Sequence, residues 1–326
     1  MRKIYLIFLI LILAACGETL AQGREIEVPT KTVEPTLSTV VISESTATQA
    51  PPLPSPVPTE SSTPTTTPLP TPYSDGTISC PGSVALMYHS IYPLPDQNTD
   101  YLENNVDIVS FERLLKYLIE EGYYFPTPEE FASDIKTRVC RHKYAVLIID
   151  DSWNDPETMG VTKVLIRNGG GSGDGSPKVW FAVITRQMYF FIKDDGESVD
   201  PWDHLSLLMD QKLVYVVSHS QTHQLGKDRK SYNITGEELL LSRKEILYGM
   251  KSEPYFFVYP GGIVADPIID RIRSSGYIGA FTVWEGGMDK SYPLYLPRIN
   301  GAARCGISGA DNSVCVIEKI EKYVNR

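Results

Sequence analysis

The chain has 326 residues, with 40 acidic and 30 basic side chains and a formal net charge of -10 at pH 7. This acidic balance argues against nucleic acid and against strongly anionic substrates, because an acidic surface repels both. The composition changes twice along the chain, which divides it into a leader, a linker and a globular region.

The leader MRKIYLIFLILILAAC combines a basic start, an apolar run and small residues before Cys16. This pattern predicts a secretory signal peptide over residues 1–15, since the apolar run is shorter than a typical membrane-spanning helix. The ending Leu13-Ala14-Ala15-Cys16 resembles a bacterial lipobox, and an ordinary signal peptide with a coincidental cysteine is the alternative. Lipidation of Cys16 would anchor the mature protein to the extracytoplasmic face of a bacterial membrane, at the cell surface or in the periplasm.

Residues 16–79 form the linker, in which stretches such as PPLPSPVPTE and SSTPTTTPLPTP contain few large apolar side chains. Such a sequence cannot bury enough surface to offset the entropy of ordering, so we expect it to be disordered. Its prolines favour extended polyproline II at about 3.1 Å per residue, which could hold a domain on the order of 100 Å from the lipid. The segment is therefore predicted to be a tether.

Residues 80–326 have a globular composition. About 250 residues suit a single domain and are a usual size for an α/β barrel. Cys80, Cys140, Cys305 and Cys315 form an even set for an oxidising compartment. Cys305 and Cys315 bracket a short loop and are predicted to pair, which leaves Cys80 for Cys140. Zinc ligation is the alternative, although no CxxC spacing supports it.

Short apolar segments predict β-strands at 83–89, 144–149, 178–184, 213–218, 255–259 and 279–283. Helices are predicted at 111–122, 156–167, 202–210, 236–250 and 266–275, and Ser110 is predicted to be the N-cap of the first. A further short helix is predicted to begin at Thr127. This alternation predicts a parallel α/β fold. The sequence contains no GxGxxG or Walker-type loop, which argues against a nucleotide-binding version.

Polar or special residues lie at the ends of four of the predicted strands. His89 ends the first, Asp150 and Asp151 follow the second, His219 and His223 follow the fourth, and Pro260-Gly261 follows the fifth. In a parallel α/β barrel, functional side chains gather at the carboxyl ends of the strands. Two adjacent carboxylates repel each other unless a cation lies nearby, and histidines four residues apart on a helical turn lie about 5–6 Å apart. The sequence therefore predicts a site of two histidines and one carboxylate, as in catalytic zinc centres that keep a position open for water.

The segments YAVLIIDDSW, SHSQTH, FFVYPGG and YLPRIN, in that order, resemble the polysaccharide deacetylases of the NodB-homology type, also called carbohydrate esterase family four. The earlier segments ALMYHSI and FERLLKYLIEEGYYFPTPEEF are similar to the circularly permuted branch, which includes periplasmic and cell-surface deacetylases of poly-N-acetylglucosamine. The resemblance extends over nearly all of residues 83–300. It implies a distorted (β/α)7 barrel that holds one divalent metal, usually zinc, with cobalt or nickel as alternatives.

The resemblance also implies the residues of the reaction. The family's TFDDG motif falls on residues 148–152, which makes Asp150 the general base and Asp151 a metal ligand. The family's histidine pair falls on His219 and His223, the other two ligands.

Three more roles come from the same resemblance. His89 corresponds to the general acid, Arg298 to the residue that orients the base, and Gly261 to the turn whose backbone N–H helps to bind the oxyanion. The motif glycine is Ser152 in this chain and is followed by Trp153, a departure that could narrow the cleft or alter substrate preference.

Trp153 either stacks on a sugar ring of the substrate or packs beneath its own loop. Three other tryptophans are predicted to lie in the core, and they are Trp180, Trp202 and Trp284. His142 and His204 follow no predicted strand and are interpreted as solvated or packing histidines.

The expected function is metal-dependent hydrolysis of N-acetyl groups from an extracellular or cell-wall glycan that contains N-acetylglucosamine, with release of acetate. One alternative is a non-catalytic glycan-binding lipoprotein on the same fold. Another is an O-acetyl esterase that acts on xylan-type polysaccharide. A pure tether or adhesin conflicts with so many polar side chains at strand ends.

Overall fold

The computed structural model describes residues 76–92, 105–151, 156–157, 159–188, 191–192, 198–224, 234–262, 264, 266–303 and 312–325. The predicted signal peptide, Cys16 and the predicted tether up to residue 75 lie outside these ranges. Within the described part of the chain, no helix is both long and apolar enough to cross a bilayer.

The strands are β1 Val84–Tyr88, β2 Ser90–Tyr92, β3 Asn105–Asp107, β4 Ala145–Asp150, β5 Val179–Val183, β6 Phe191–Ile192, β7 Ser198–Val199, β8 Val214–Ser218, β9 Phe256–Val258, β10 Gly279–Phe281 and β11 Ile299–Asn300. The α-helices are α1 Ile108–Glu120, α2 Pro128–Thr137, α3 Val161–Arg167, α4 Pro201–Asp210, α5 Gly236–Met250, α6 Asp266–Ser274 and α7 Asn312–Val324. Short 3-10 turns cover Thr185–Gln187, Pro260–Gly262 and Pro293–Tyr295.

Seven of the described strands form one sheet, in the order β10-β9-β8-β5-β4-β1-β11, with parallel neighbours throughout. Leu296 forms a parallel bridge with Phe281 at one edge, and Ile299 pairs with Leu86 at the other. Only two residues separate Leu296 from Ile299, so the sheet must curl until its two edges approach each other. The predicted distorted (β/α)7 barrel is confirmed, and the six predicted strands are β1, β4, β5, β8, β9 and β10.

The two faces of the sheet follow the two-residue period of its strands. Val146 and Ile148 in β4 and Val217 in β8 belong to the apolar cluster inside the barrel. Their neighbours Leu147 and Val216 belong to the cluster outside, where α1, α3, α4 and α7 pack against the sheet. Both faces are buried, which is why these strands appear as continuous apolar runs in the sequence.

Helix α2 closes the amino end of the barrel. Thr127, where the sequence predicted the helix to begin, is its N-cap and forms a capping box with Glu130. Phe131 then inserts into the barrel, where its ring contacts Trp180 and Phe256. The predicted disulfide Cys80–Cys140 is present near this end of the barrel, with a Cα–Cα distance of 4.8 Å.

Cys315 is disulfide-bonded, and Cys305, the partner that the sequence predicts, lies outside the described residues.

Two local predictions are wrong. Ser110 is not the N-cap of α1, because Asp107 accepts hydrogen bonds from the backbone N–H groups of Val109 and Ser110 at 3.0 and 2.8 Å and starts the helix earlier. Trp284 is not a core residue, because 54 % of its surface is exposed. Trp180, by contrast, is fully buried inside the barrel as predicted.

Candidate functional site

Three of the predicted site residues extend the inward-facing series of their strands. Asp150 continues the series of Ile148, and His219 continues the series of Val217. His89 follows β1 directly, and its neighbour Tyr88 pairs with Ile149 of β4. The parallel strands therefore bring these side chains together at one end of the barrel, although they lie far apart in sequence.

Asp151, His219 and His223 form a cluster at this carboxyl end, and their ligand atoms all lie within 4.8 Å of one another. Asp151 Oδ1 is 3.4 Å from His219 Nε2 and 3.7 Å from His223 Nε2. Two ligands at about 2.0–2.1 Å from a tetrahedral zinc ion would be about 3.4 Å apart. The spacing of the three atoms therefore suits one small cation between them.

The backbone that carries the two histidines differs from the prediction. The pair was expected on a helical turn, but residues 219–224 are not helical, and Ser220 and His223 have φ values of +73° and +53°. Ser220 Oγ accepts a hydrogen bond from the backbone N–H of His223 at 3.0 Å, which fixes this tight loop. The imidazoles still lie close, with ring centroids 4.8 Å apart.

His219 has a defined orientation, because its Nδ1 lies 2.9 Å from the backbone carbonyl of Val258 at the end of β9. A carbonyl oxygen only accepts hydrogen bonds, so Nδ1 must carry the proton. In the neutral ring, Nε2 then presents a lone pair towards Asp151 Oδ1, which is buried and has no hydrogen-bond partner among the described residues. Two facing lone pairs need a positive charge between them, so this donor set fits a divalent metal.

The three side chains of the cluster also shift one another's pKa values. Burial of Asp151 favours its neutral form, but the adjacent His219, together with the nearby His89 and His223, outweighs burial and lowers the pKa of the carboxyl well below its usual range. Burial disfavours charge on His219, yet its pKa is raised because Asp151 and Asp150 stabilise the imidazolium. Burial and the charge of His219 together lower the pKa of His223 to about 4.

Asp150 has a different partner from Asp151. Its Oδ1 accepts a hydrogen bond from Arg298 Nη1 at 2.7 Å, and both side chains are buried, with 2 % and 1 % exposed. Arg298 Nε donates to the carbonyl of Thr282 at 2.7 Å, which fixes the guanidinium. Arg298 Nη2 is also buried and has no hydrogen-bond partner in the part of the chain that the structure describes. Arg298 thus holds one oxygen of Asp150 in place and leaves the other available.

The remaining predicted site residues lie nearby or outside the described ranges. His89 is close enough to lower the pKa of Asp151, and its Nδ1 is buried without a hydrogen-bond partner within the described ranges. Gly261 lies in the exposed turn after β9 with φ +58°, a conformation that favours glycine. Ser152 and Trp153 lie outside the described residues.

No protein-family model and no curated protein matches this sequence. Among solved structures, IcaB from Ammonifex degensii is 17% identical with a TM-score of 0.56, and the match covers 75% of this chain and 99% of that one. A Streptococcus pyogenes deacetylase, PplD in complex with acetate, is 21% identical with a TM-score of 0.52 over 67% of this chain and 91% of that one. A de-N-acetylase from Aggregatibacter actinomycetemcomitans is 17% identical with a TM-score of 0.52 over 73% of this chain and 99% of that one.

The chain has the fold of the polysaccharide deacetylases. The resemblance seen in the motifs is therefore confirmed at the level of the fold.

One set of residues in this deacetylase fold was not found from the sequence, and it lies on α5. Glu238 accepts hydrogen bonds from the backbone N–H groups of Gln221 and Thr222 at 3.2 and 2.9 Å, and from the Thr222 hydroxyl at 2.8 Å. Glu245, two turns further along the helix, accepts from Gln221 Nε2 at 2.8 Å and from the Thr185 hydroxyl. These two glutamates hold the loop between His219 and His223 in position.

A third α5 contact supports the base of that loop. The hydroxyls of Ser218 and Ser242 lie 2.8 Å apart, and both residues are fully buried. Ser242 is four residues from Glu238 and three from Glu245, so all three polar side chains lie on one face of the helix. The spacing of the three side chains is visible in the sequence, but two of the partners of Glu238 are backbone N–H groups, which leave no pattern there.

We predict that Glu238→Ala weakens metal binding roughly tenfold to a hundredfold, because the loop between the two histidines loses three hydrogen bonds. Metal affinity would be measured by competition with a chromogenic chelator. Glu237→Ala is the matched control, because that neighbouring glutamate is exposed. Equal affinities of the two variants would contradict the positioning role of Glu238.

Proposed function

We propose that the chain is a metal-dependent hydrolase that removes N-acetyl groups from a glycan containing N-acetylglucosamine, with release of acetate. The observation that carries this proposal is the cluster of Asp151, His219 and His223 beside the buried pair of Asp150 and Arg298. Such a cluster can hold a metal with an open position, and the neighbouring carboxylate is free of the cluster and can act as a base.

The names of the structurally similar proteins support deacetylation as the class of reaction. The Streptococcus pyogenes protein is described as a deacetylase and was solved with acetate, which is the product of deacetylation. The Aggregatibacter protein is described as a de-N-acetylase. The proposed metal is zinc, because two imidazoles and one carboxylate are a common ligand set for catalytic zinc, and cobalt or nickel remain alternatives.

When bound, a divalent metal would act as a Lewis acid that lowers the pKa of a bound water and polarises the acetamide carbonyl. Asp150 accepts the proton of the attacking water. Arg298 keeps that carboxylate in one orientation, because it binds Oδ1 and is itself fixed by the carbonyl of Thr282. The second carboxylate oxygen is then the proton acceptor.

The nitrogen of the scissile amide bond requires a proton donor. The sugar amine is a poor leaving group until it is protonated, and His89 is proposed to supply that proton. The backbone N–H of Gly261, in the turn after β9, is proposed to donate to the oxygen that becomes negative in the tetrahedral intermediate.

The location is proposed from the sequence alone. A signal peptide that ends in Leu13-Ala14-Ala15-Cys16, followed by a proline- and threonine-rich linker, supports an extracytoplasmic protein anchored to a bacterial membrane through lipid on Cys16. A tethered domain outside the cytoplasm would have access to cell-wall or surface glycans.

We predict that chelation abolishes acetate release from N-acetylglucosamine oligomers and that adding zinc back restores it. His219→Ala should lose both the metal and the activity, because it removes the most buried of the three ligands. His142→Ala is the control, since His142 stacks on Tyr124 rather than on any site residue. Metal content and acetate would be measured together on chitin-type, peptidoglycan and xylan substrates. Acetate release that survives complete metal removal would refute the proposal.

We predict that Asp150→Asn retains the metal but slows acetate release by about a hundredfold or more, because the amide cannot accept the water's proton. Metal content serves as the check that the site still forms. A glycan-binding protein without catalytic activity would bind oligomers equally well with either residue and release no acetate. Unchanged turnover in this variant would show that Asp150 is not the base.

We predict that His89→Ala slows cleavage of an acetamide more than cleavage of an acetate ester, because an alkoxide leaves more easily than an unprotonated amine. The two rates would be compared on N-acetylglucosamine oligomers and on acetylated xylan. A wild-type enzyme that cleaves only the ester would favour the O-acetyl esterase alternative.

A further inference from the structure

A second concave site lies outside the metal centre, between α6 and the turn Pro293–Tyr295. It is a cleft of about 690 Å³ whose lining includes Trp284, Tyr292 and Tyr295 together with Asp270 and Arg273 of α6. The cleft falls in the size range of small-molecule sites, and its mixture of aromatic rings with a few polar groups is typical of them. Nothing in the proposed reaction uses these side chains.

The aromatic rings of the cleft form a platform that remains open to solvent. Trp284 stacks on Tyr295, with ring centroids 6.0 Å apart and planes at 21°, and Tyr292 contacts Tyr295 edge to face. Even so, 54 % of Trp284 and 51 % of Tyr292 is exposed. Large aromatic side chains left exposed and held in place by one another indicate a surface that binds something flat and partly apolar.

The segment 282–284 runs from the cleft to Arg298 of the candidate active site. The carbonyl of Thr282 accepts from Arg298 Nε, and the carbonyl of Trp284 accepts from the Arg298 backbone N–H at 2.9 Å. Between them, Val283 lies directly against Gly262 of the turn after β9. Trp284 of the cleft and Thr282, which fixes Arg298 in the candidate active site, are therefore two positions apart on one short segment.

The polar groups of the cleft define the chemistry of the ligand. Asp270 and Arg273 form an ion pair, with Nη1 and Oδ1 2.9 Å apart, so they add no net charge and offer both acceptors and donors. A pyranose ring has an apolar face of C–H groups and a rim of hydroxyls, which matches an aromatic platform edged by a carboxylate and a guanidinium. A strongly anionic ligand would find no unopposed positive charge in this pair.

We propose that this cleft is a sugar-binding subsite that holds a neutral N-acetylglucosamine unit of the same glycan, at a distance from the unit that reacts. The identity of the sugar rests on the proposed function, whereas the existence of the subsite rests on the cleft itself. The subsite makes longer oligomers bind more tightly than short ones.

The test is calorimetric titration of the full-length chain, kept in chelator so that no hydrolysis occurs, with the tetramer and the monomer of N-acetylglucosamine. Trp284→Ala should weaken tetramer binding by about tenfold or more, whereas Trp284→Phe should restore most of it because the platform is kept. Tyr248→Ala is the matched control, since Tyr248 is an exposed aromatic residue on α5 and is not part of the cleft.

Tetramer binding that is equal in Trp284→Ala and in the unmodified chain would overturn the subsite, and so would an unmodified chain that binds tetramer no better than monomer. Acetate release by the metal-loaded chain is measured in parallel. Weaker tetramer binding by Trp284→Ala, together with no acetate release by the unmodified metal-loaded chain, would support the subsite and refute the proposed hydrolase. Acetate release with unchanged binding would refute the subsite alone.

Discussion

Two adjacent carboxylates at the end of a buried strand remain ionised only if each has its own positive partner. The chain meets this constraint by sending Asp150 and Asp151 in different directions. Asp150 continues the inward series of β4 and meets Arg298, while Asp151 has φ +68° and turns towards the two histidines. This division of partners separates a carboxylate that can accept protons from a carboxylate that can bind a metal, and the proposed chemistry depends on it.

The loop that carries His219 and His223 has no regular secondary structure and is held by contacts with neighbouring elements. Two residues of the loop have positive φ, so its shape is not one that the local sequence would adopt unaided. Glu238 and Glu245 of α5 accept its backbone and side-chain hydrogen bonds, and the carbonyl of Val258 fixes the ring of His219. Helix α5 is therefore as much a part of the site as the strands that carry the ligands.

The sequence predicted the parts of the site that lie at the ends of apolar strands. Apolar runs located β4 and β8, and the gathering of functional side chains at the carboxyl ends of parallel strands placed Asp150 and His219 at one end of the barrel. The conformation of the loop was predicted wrongly, because the four-residue spacing that suggested a helical turn also arises from a loop with left-handed residues. Glu238 was missed because its partners are mainly backbone N–H groups, which leave no pattern in a sequence.

Contacts between distant residues and very short strands could not be predicted from the sequence pattern either. The contact of Arg298 with Asp150 joins residues 148 positions apart, and only the resemblance to a family indicated it. Strand β11 has two residues, too few for any period to be visible, although it completes the curled sheet. Trp284 was predicted to lie in the core, yet burial depends on where the chain turns after β10.

The charge balance of the site also limits the substrate. Asp150, Asp151 and Arg298 together carry one net negative charge, which a divalent cation would convert to one net positive charge, and a protonated His89 would add to it. A neutral acetamide can enter such a site without a large Coulomb cost, whereas a free amine, which is protonated in neutral water, would be repelled. The ion pair of Asp270 and Arg273 in the aromatic cleft carries no net charge, so only the proposed metal centre would distinguish the acetylated glycan from its deacetylated product.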